Sequence, residues 1–256
     1  MFEKYFNRKY EPDDFPYFVP KQEREYNLEF AATMIKDGWV RYRWEEATGR
    51  NGWKRNKKVS EKIIAQGGLI LKICAGPSGG FSSERFMKNY NAHLMISDLC
   101  LTVVKEWYKL FHSMDNPLPN AEYAALDVCD MPFYDNCLDV ISENAAIINI
   151  EGDRDKALRE IYRVLKPGGL FVFDYIFVTE KNYNKMPKEE REIIKSRYPT
   201  AFGDSLEIFN HLGFSKIDTI QTGEWSNKDD ESGFASLCRE LNTELTFSGF
   251  IKYCNK

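Results

Sequence analysis

Histidine is scarce in this chain, and cysteine is scattered. Only three histidines (His93, His112 and His211) occur in 256 residues, none near another. The six cysteines, at 74, 100, 129, 137, 238 and 254, include no C-x-x-C pair. Such spacing gives zinc ligation little support and fits reduced thiols in a cytoplasmic protein. No apolar run approaches the roughly 20 residues of a membrane span. The opening MFEKYFNRKYEPDDF is too charged for a secretory signal. There is no G-x-x-x-x-G-K-[ST], which disfavours P-loop ATPase chemistry. Internal repeats and low-complexity tracts are missing too. With 35 Lys+Arg against 39 Asp+Glu, the formal charge of −4 marks no overall nucleic-acid or membrane surface.

What is present is an ordinary globular composition, 43% hydrophobic and 29% charged, long enough for one large domain or a domain with an added subdomain. Composition shifts near residue 60. The first 60 residues hold 13 of the 37 aromatics and a net charge of +3, leaving −7 for the rest. We therefore expect an N-terminal aromatic-rich helical cap or lid over residues 1–60. KQEREYNLEFAATMIKDG in it has helical spacing, with Leu28, Ala31, Ala32 and Ile35 on one face. After the polar TGRNGWKRNKK, VSEKIIAQGG reads as a short helix that Ser60 caps.

From residue 61 short apolar strands alternate with amphipathic helices. LILKIC (69–74), AHLMIS (92–97), AEYAAL (121–126), CLDVIS (137–142) and GLFVFDYIFV (169–178) read as strands. LCLTVVKEWYKLFHSM and DRDKALREIYRVLK read as helices between them. The pattern predicts an α/β fold, a doubly wound, mostly parallel seven-stranded sheet over 61–256. Strands 215–221 and 244–254 would pair as an antiparallel edge. Residues from about 176 to 202 form an excursion on the substrate side. Ligands in such sheets bind at the carboxyl ends of the strands, where strand order reverses, which directs attention to AGPSGG (75–80).

That glycine loop alone fits a phosphate cradle or a plain tight turn equally well. Asp98, ending the second strand, can accept hydrogen bonds from ribose hydroxyls or cap the next helix, and the two roles are compatible. LDVCDMPFYDNCLDVISENAAI supplies further candidates: Asp127, Asp139, and Glu143 with Asn144.

Taken together, LKICAGPSGG, ISD, ALDVCDMPFYDNCLDVI and ALREIYRVLKPGGLFVFDY resemble the class I S-adenosylmethionine-dependent methyltransferases. The likeness is to the small-molecule branch with an LPF-like loop followed by RVLKPGG, and it covers Ile63 to Tyr175. The resemblance implies S-adenosylmethionine as cofactor. Lys72, Ala75, Gly76, Pro77, Ser78 and Gly79 would border its methionine part. Asp98 would hold the ribose beside Leu99, and Asp127 and Val128 the adenine. Residues 142–145, with Glu143 and Asn144, would border the methyl-transfer site, and Glu143 is the candidate base. Asp139 and the KPGG turn, the latter as a helix C-cap with positive φ, resemble fold-supporting elements.

Three departures stand out: Lys72 replaces the family's usual acid, Cys74 its first glycine and Ser78 a later one. Cys74 and Ser78 suit their places only where the backbone does not need φ > 0. The Asp/Asn-Pro-Pro-Tyr signature of many amino-group methyltransferases is missing after the fourth strand. The expected activity is methyl transfer to a small molecule under the lid. Two alternatives stay open. One is a methyltransferase-like binding protein without catalysis, motivated by Lys72. The other is an RNA methyltransferase using GWVRYRWEEATGRNGWKRNKK, where Trp39, Tyr42, Trp44 and Trp53 mix with seven basic residues.

Overall fold

A computed structural model describes residues 1–10, 14–19, 50–76, 92–113, 121–144, 146–147, 150, 154–178, 185–197, 207–226, 233–241 and 246–256. The expected helix at 21–38, and Pro77, Ser78 and Gly79, lie outside the described residues, as do Trp39, Tyr42 and Trp44.

Seven strands form one sheet: β1 (Gly68–Lys72), β2 (Ala92–Asp98), β3 (Ala121–Ala125), β4 (Leu138–Ser142), β5 (Leu165–Val178), β6 (Ser215–Ser226) and β7 (Thr246–Asn255). Their order is β3-β2-β1-β4-β5-β7-β6. The first five are parallel, and β7 runs antiparallel to both β5 and β6, as the sequence led us to expect. The order reverses between β1 and β4, so their carboxyl ends open the crevice.

Alternation along the strands sorts side chains into two cores. Leu69, Leu71 and Ile73 join the cluster that holds Phe133, Leu158 and Phe209, while Ile70 joins the one with Val59, Val104 and Trp107. The second face is covered by α1 (Arg50–Gln66) and α2 (Leu101–Ser113), the first by α3 (Arg154–Val164) and α5 (Glu207–Leu212). Between α3 and α5 the chain forms α4 (Lys188–Arg197), inside the expected excursion. Helix α6 (Gly233–Glu240) lies in the connection from β6 to β7.

Two local expectations are corrected. Helix α1 does not begin at residue 59. It starts by Arg50, and Ser60, expected as its N-cap, lies in its interior at 1% exposure. The polar stretch read as a connection is rich in lysine and arginine, which are good helix formers, and Gly52 falls in the first turn, where its cost is small. The KPGG turn does not cap a helix either. Helix α3 ends at Val164, Leu165 already pairs with Leu138, and the next partners are Val140 and Leu170. The turn is thus a bulge within β5. Of its two glycines only Gly168 has positive φ, at 77°.

The first residues of the chain are built into the domain. Phe2 is fully buried and Phe6 nearly so, in the cluster that backs β1 to β3, with ring centroids 6.4 and 5.3 Å from Phe133. The amide of Asn7 donates to the Pro132 carbonyl and that of Tyr134 to the Tyr5 carbonyl. Residues 16–18 then bond to both sides of the Ala125 peptide unit along the outer edge of β3. This covers an edge strand that would otherwise be open to pairing. Within residues 1–19, then, the described part of the expected cap belongs to the core.

The LPF-like loop is held from α3. Glu160 accepts the Met131 amide at 2.8 Å, and the Arg163 guanidinium donates to the carbonyls of Met131 (2.9 Å) and Phe133 (2.7 Å). Arg163 also pairs with Glu160 and Asp135. Without the guanidinium, Met131 would keep only the Phe133 amide and Phe133 only the Asn7 side chain, and the charge-assisted bonds to both carbonyls would be lost. We expect Arg163→Met to lower unfolding stability in urea by about 1–2 kcal/mol. A loss under about 0.5 kcal/mol, the range of an ordinary surface change, would show that the loop does not depend on this clamp.

Candidate cofactor site

The carboxyl ends of four strands are stitched together at the crevice. The Ile73 amide donates to the Ser142 carbonyl of β4 (3.0 Å), and two residues on the Ala75 amide donates to the Ser97 carbonyl of β2 (2.9 Å). The chain leaving β1 therefore bridges the switch point. The Leu126 amide donates to the Asp98 carbonyl (3.0 Å), bringing the ends of β2 and β3 together.

Asp98 lies at the centre. One carboxylate oxygen accepts the Gly76 amide at 2.8 Å, and the other accepts the Cys100 amide at 2.9 Å at the entry to α2. The capping role is therefore realised, and it also ties the glycine loop to β2. Burial raises the Asp98 carboxyl above its ordinary range, against the opposing pull of these amides. The Gly76 peptide is held from its other side as well, since the Trp107 indole N–H donates to its carbonyl at 2.8 Å.

Asp127 is half-buried and accepts the Cys129 amide at 2.8 Å, a local turn beyond β3. Val128 is buried. Leu99 packs against Tyr17, Val19 and Ala125, so the N-terminal segment reaches this edge of the sheet.

Glu143, at the end of β4, is 1% exposed. Its oxygens accept the amides of Asp174 (2.9 Å), Ala146 (2.6 Å) and Ile147 (3.4 Å), and Asn144 donates to the Asp174 carboxylate. A side chain so enclosed braces the end of β4 against the middle of β5. Burial, and next the charge of Asp174, push the Glu143 carboxyl up to about 8. Asp139 fits its expected structural role. It accepts the Leu69 amide and both contacts of the Lys166 ammonium, within 2.9 Å, and a Cβ on Gly68 would collide with its carboxyl.

Two of the family departures acquire a geometry. Lys72 is 3% exposed, with its ammonium 5.1 Å from the Trp107 ring centroid, on the α1–α2 face of the sheet. Cys74 lies on the other face and has φ of 47°. The first glycine position thus does require the left-handed backbone, and a non-glycine residue occupies it. Burial raises the Cys74 thiol well above its ordinary value, and the charges of Asp98, Glu143 and Asp127 add to that. Those three carboxylates thus surround the end of β1. Ala75 is buried beside them and Gly76 half-buried, while Pro77, Ser78 and Gly79 lie outside the described residues.

The sequence reading missed Trp107, Asp174 and the Glu160–Arg163 clamp. Trp107 looked like one more apolar residue of a helix stripe. Asp174 had a visible signal, being the exception in an apolar strand.

Comparison with known proteins places these features. Residues 73–173 match the methyltransferase domain family, spanning the stretch from the β1 turn to β5. The likeness to that family lies in the stretch that holds β2, β3, β4 and most of β5. The ubiquinone/menaquinone biosynthesis C-methyltransferase UbiE of Escherichia coli is 46% identical over 124 residues, 48% of each chain. Its counterpart in Pseudoalteromonas translucida is 26% identical over 147 residues, 57% of this chain and 53% of that one. The chain thus spans about half the length of the curated relatives it matches. Among solved structures, YcgJ of Bacillus subtilis has a TM-score of 0.58 at 16% identity, covering 79% of this chain and 98% of that one. The phosphoethanolamine N-methyltransferase 2 of Haemonchus contortus, in complex with S-adenosyl-L-methionine, has 0.58 at 19%, covering 94% and 61%. These structural likenesses establish the fold, and the [4+2]-cyclase SpnF shares it at 0.54 and 16% identity, covering 80% and 81%.

Two outcomes follow for this domain. Left-handed φ costs an ordinary residue about 1–2 kcal/mol, which glycine partly gives back through its looser unfolded state. We expect Cys74→Gly to change thermal stability by less than about 1 kcal/mol and the β-branched Cys74→Val to lower it by about 2 kcal/mol or more. Equal losses for both would refute the strain at this position. For Glu143, the raised carboxyl means that the folded state keeps a proton which the unfolded state releases above about 4.5. Its contribution to stability is therefore lost as pH rises from about 4.5 through about 8. The slope reaches at most about 1.4 kcal/mol per pH unit. Glu143→Gln should gain on the wild type steadily between pH 5 and 8; a difference independent of pH would contradict the shift.

Proposed function

We propose that this protein transfers a methyl group from S-adenosylmethionine to a small-molecule acceptor. The observation that supports the reading is Asp98, at the end of β2, holding the Gly76 amide of the loop after β1 beside the switch point. With Asp127 beyond β3, it gives the crevice a negative field suited to a cationic ligand. Bound there, the cofactor supplies a methyl group already activated on a sulfonium.

The chain's own residues then orient and exclude water. The Asp98 carboxylate, held in place by two amides, receives the ribose hydroxyls. Asp127 accepts the adenine amino group, with Leu99 and Val128 as apolar neighbours of the ring. Gly76, without a Cβ, lets the loop approach the methionine part closely. Glu143 and Asp174 brace the end of β4 against β5, beside which the acceptor lies. With the methyl already activated, alignment of the acceptor supplies much of the rate.

The acceptor is a small molecule, and the relatives' C-methyl transfer favours a carbon atom on it. The binding-only alternative rested on Lys72 repelling the cofactor. Its ammonium, seated on Trp107 on the far face from Cys74, weakens that motive.

Titration calorimetry with S-adenosylmethionine and its demethylated product tests the reading. Binding should be measurable, and Asp98→Asn should weaken it about tenfold, as loss of one charge-assisted hydrogen bond predicts. No binding of either ligand at millimolar concentration would sink the proposal. With tritiated methyl donor in a cell extract, label should enter the small-molecule fraction; label in RNA would instead favour a nucleic-acid acceptor.

A further inference from the structure

We propose that Lys72 and Trp107 are positioning residues that set the cofactor loop from behind. The proposal deepens the cofactor reading by giving a role to the residue that stands where the family's acid is usual.

The geometry forms one continuous relay. The Lys72 ammonium lies over the Trp107 indole, 5.1 Å from the ring centroid. The N–H of that indole donates to the Gly76 carbonyl at 2.8 Å, and the Gly76 amide donates to Asp98 at 2.8 Å. Trp107 is fully buried and stacked on Phe111, with centroids 5.4 Å apart, so the ring is held in a fixed plane. Gly76 has φ of 54°, a conformation that needs holding if the loop is to keep one shape.

The physics gives the relay a direction. An ammonium over an indole face is attracted by the ring quadrupole. It also withdraws electron density from the ring, which makes the N–H at the rim a stronger donor, as linked polar groups reinforce one another in a low-dielectric interior. The Lys72 charge therefore strengthens the grip on Gly76 from the α1–α2 face of the sheet. Lys72 sits two residues before Cys74 but on the opposite face, so its main chain builds β1 while its side chain steadies the turn. An acid at position 72 would place negative charge against the ring face and reverse the effect.

The test combines hydrogen exchange of the 73–76 amides with calorimetry using S-adenosylhomocysteine. Lys72→Met keeps the volume of the buried stem, and urea unfolding establishes that each variant is folded. We expect Lys72→Met and Trp107→Phe each to speed exchange at Gly76 and to weaken binding about five- to tenfold. Their combination should be scarcely worse than Trp107→Phe alone, because both act through one hydrogen bond. Lys72→Arg, whose guanidinium also stacks on indole, should recover most of the affinity, and Lys72→Glu should bind worst. Tighter binding by Lys72→Glu than by the wild type would overturn the proposal. So would unchanged exchange and affinity in Lys72→Met, or fully additive losses in the double variant. Should the wild type bind no S-adenosylhomocysteine while the exchange pattern appears as expected, the cofactor reading fails and the loop-setting role stands.

Discussion

Gly76 is the residue on which the rest of the site depends. Its N–H is taken by Asp98 and its carbonyl by Trp107, so β2, α2 and the loop after β1 meet at the two peptide groups that flank one Cα. Each partner has a second anchor. Asp98 also caps the entry to α2 through Cys100, and Trp107 lies within that helix against Phe111. The helix that fixes the indole is thus itself started by the carboxylate that fixes the amide. Such closure makes the loop's shape a property of the packed second core rather than of its glycines alone.

Carboxylates divide the work of the domain according to what they face. Asp139 and Glu160 meet cations, Lys166 and Arg163, and hold backbone amides of the chain. They fix the start of β1 and the loop after β3. Glu143, just past β4, meets Asp174 within β5, where burial and like charge raise the Glu143 carboxyl. Asp98 and Asp127 end β2 and follow β3, and both accept backbone amides there. The same residue type is thus set in each place by what it meets: a cation, another acid or the amides of a turn.

The sheet was legible because its strands are apolar and short and its helices keep a regular stripe. The antiparallel β6–β7 edge followed from two late strands with a long connection. Failures came where polar sequence hides order. In α1, a run of lysines and arginines looked like a connection, although Val59 and Ile63 lie one turn apart and are both buried. The KPGG turn has the composition of a helix stop, yet which element it belongs to depends on pairing with β4, a long-range fact. Phe2 and Phe6 were read as part of a cap because nothing local says that Phe133 awaits them. The acids of the site could be found from their places at strand ends. Trp107 could not, since its role rests on a carbonyl 31 residues away.

Exchange of an acid for a lysine at position 72 removes one negative charge from the family pattern and adds a positive one. In an exposed crevice that would favour repulsion of a cationic ligand. Here the sign of the local field follows from which face each charge occupies. The ammonium lies on the α1–α2 side against an indole, whose electron-rich face meets it. Asp98, Asp127 and Glu143 act on Cys74 at the other side, and each adds to the rise of its thiol. Burial is the larger cause of that rise, and the acids act in addition to it. The lysine that replaces the acid thus carries its charge on the face away from Cys74, against Trp107, so the exchange is accommodated by which side of the sheet the side chain takes.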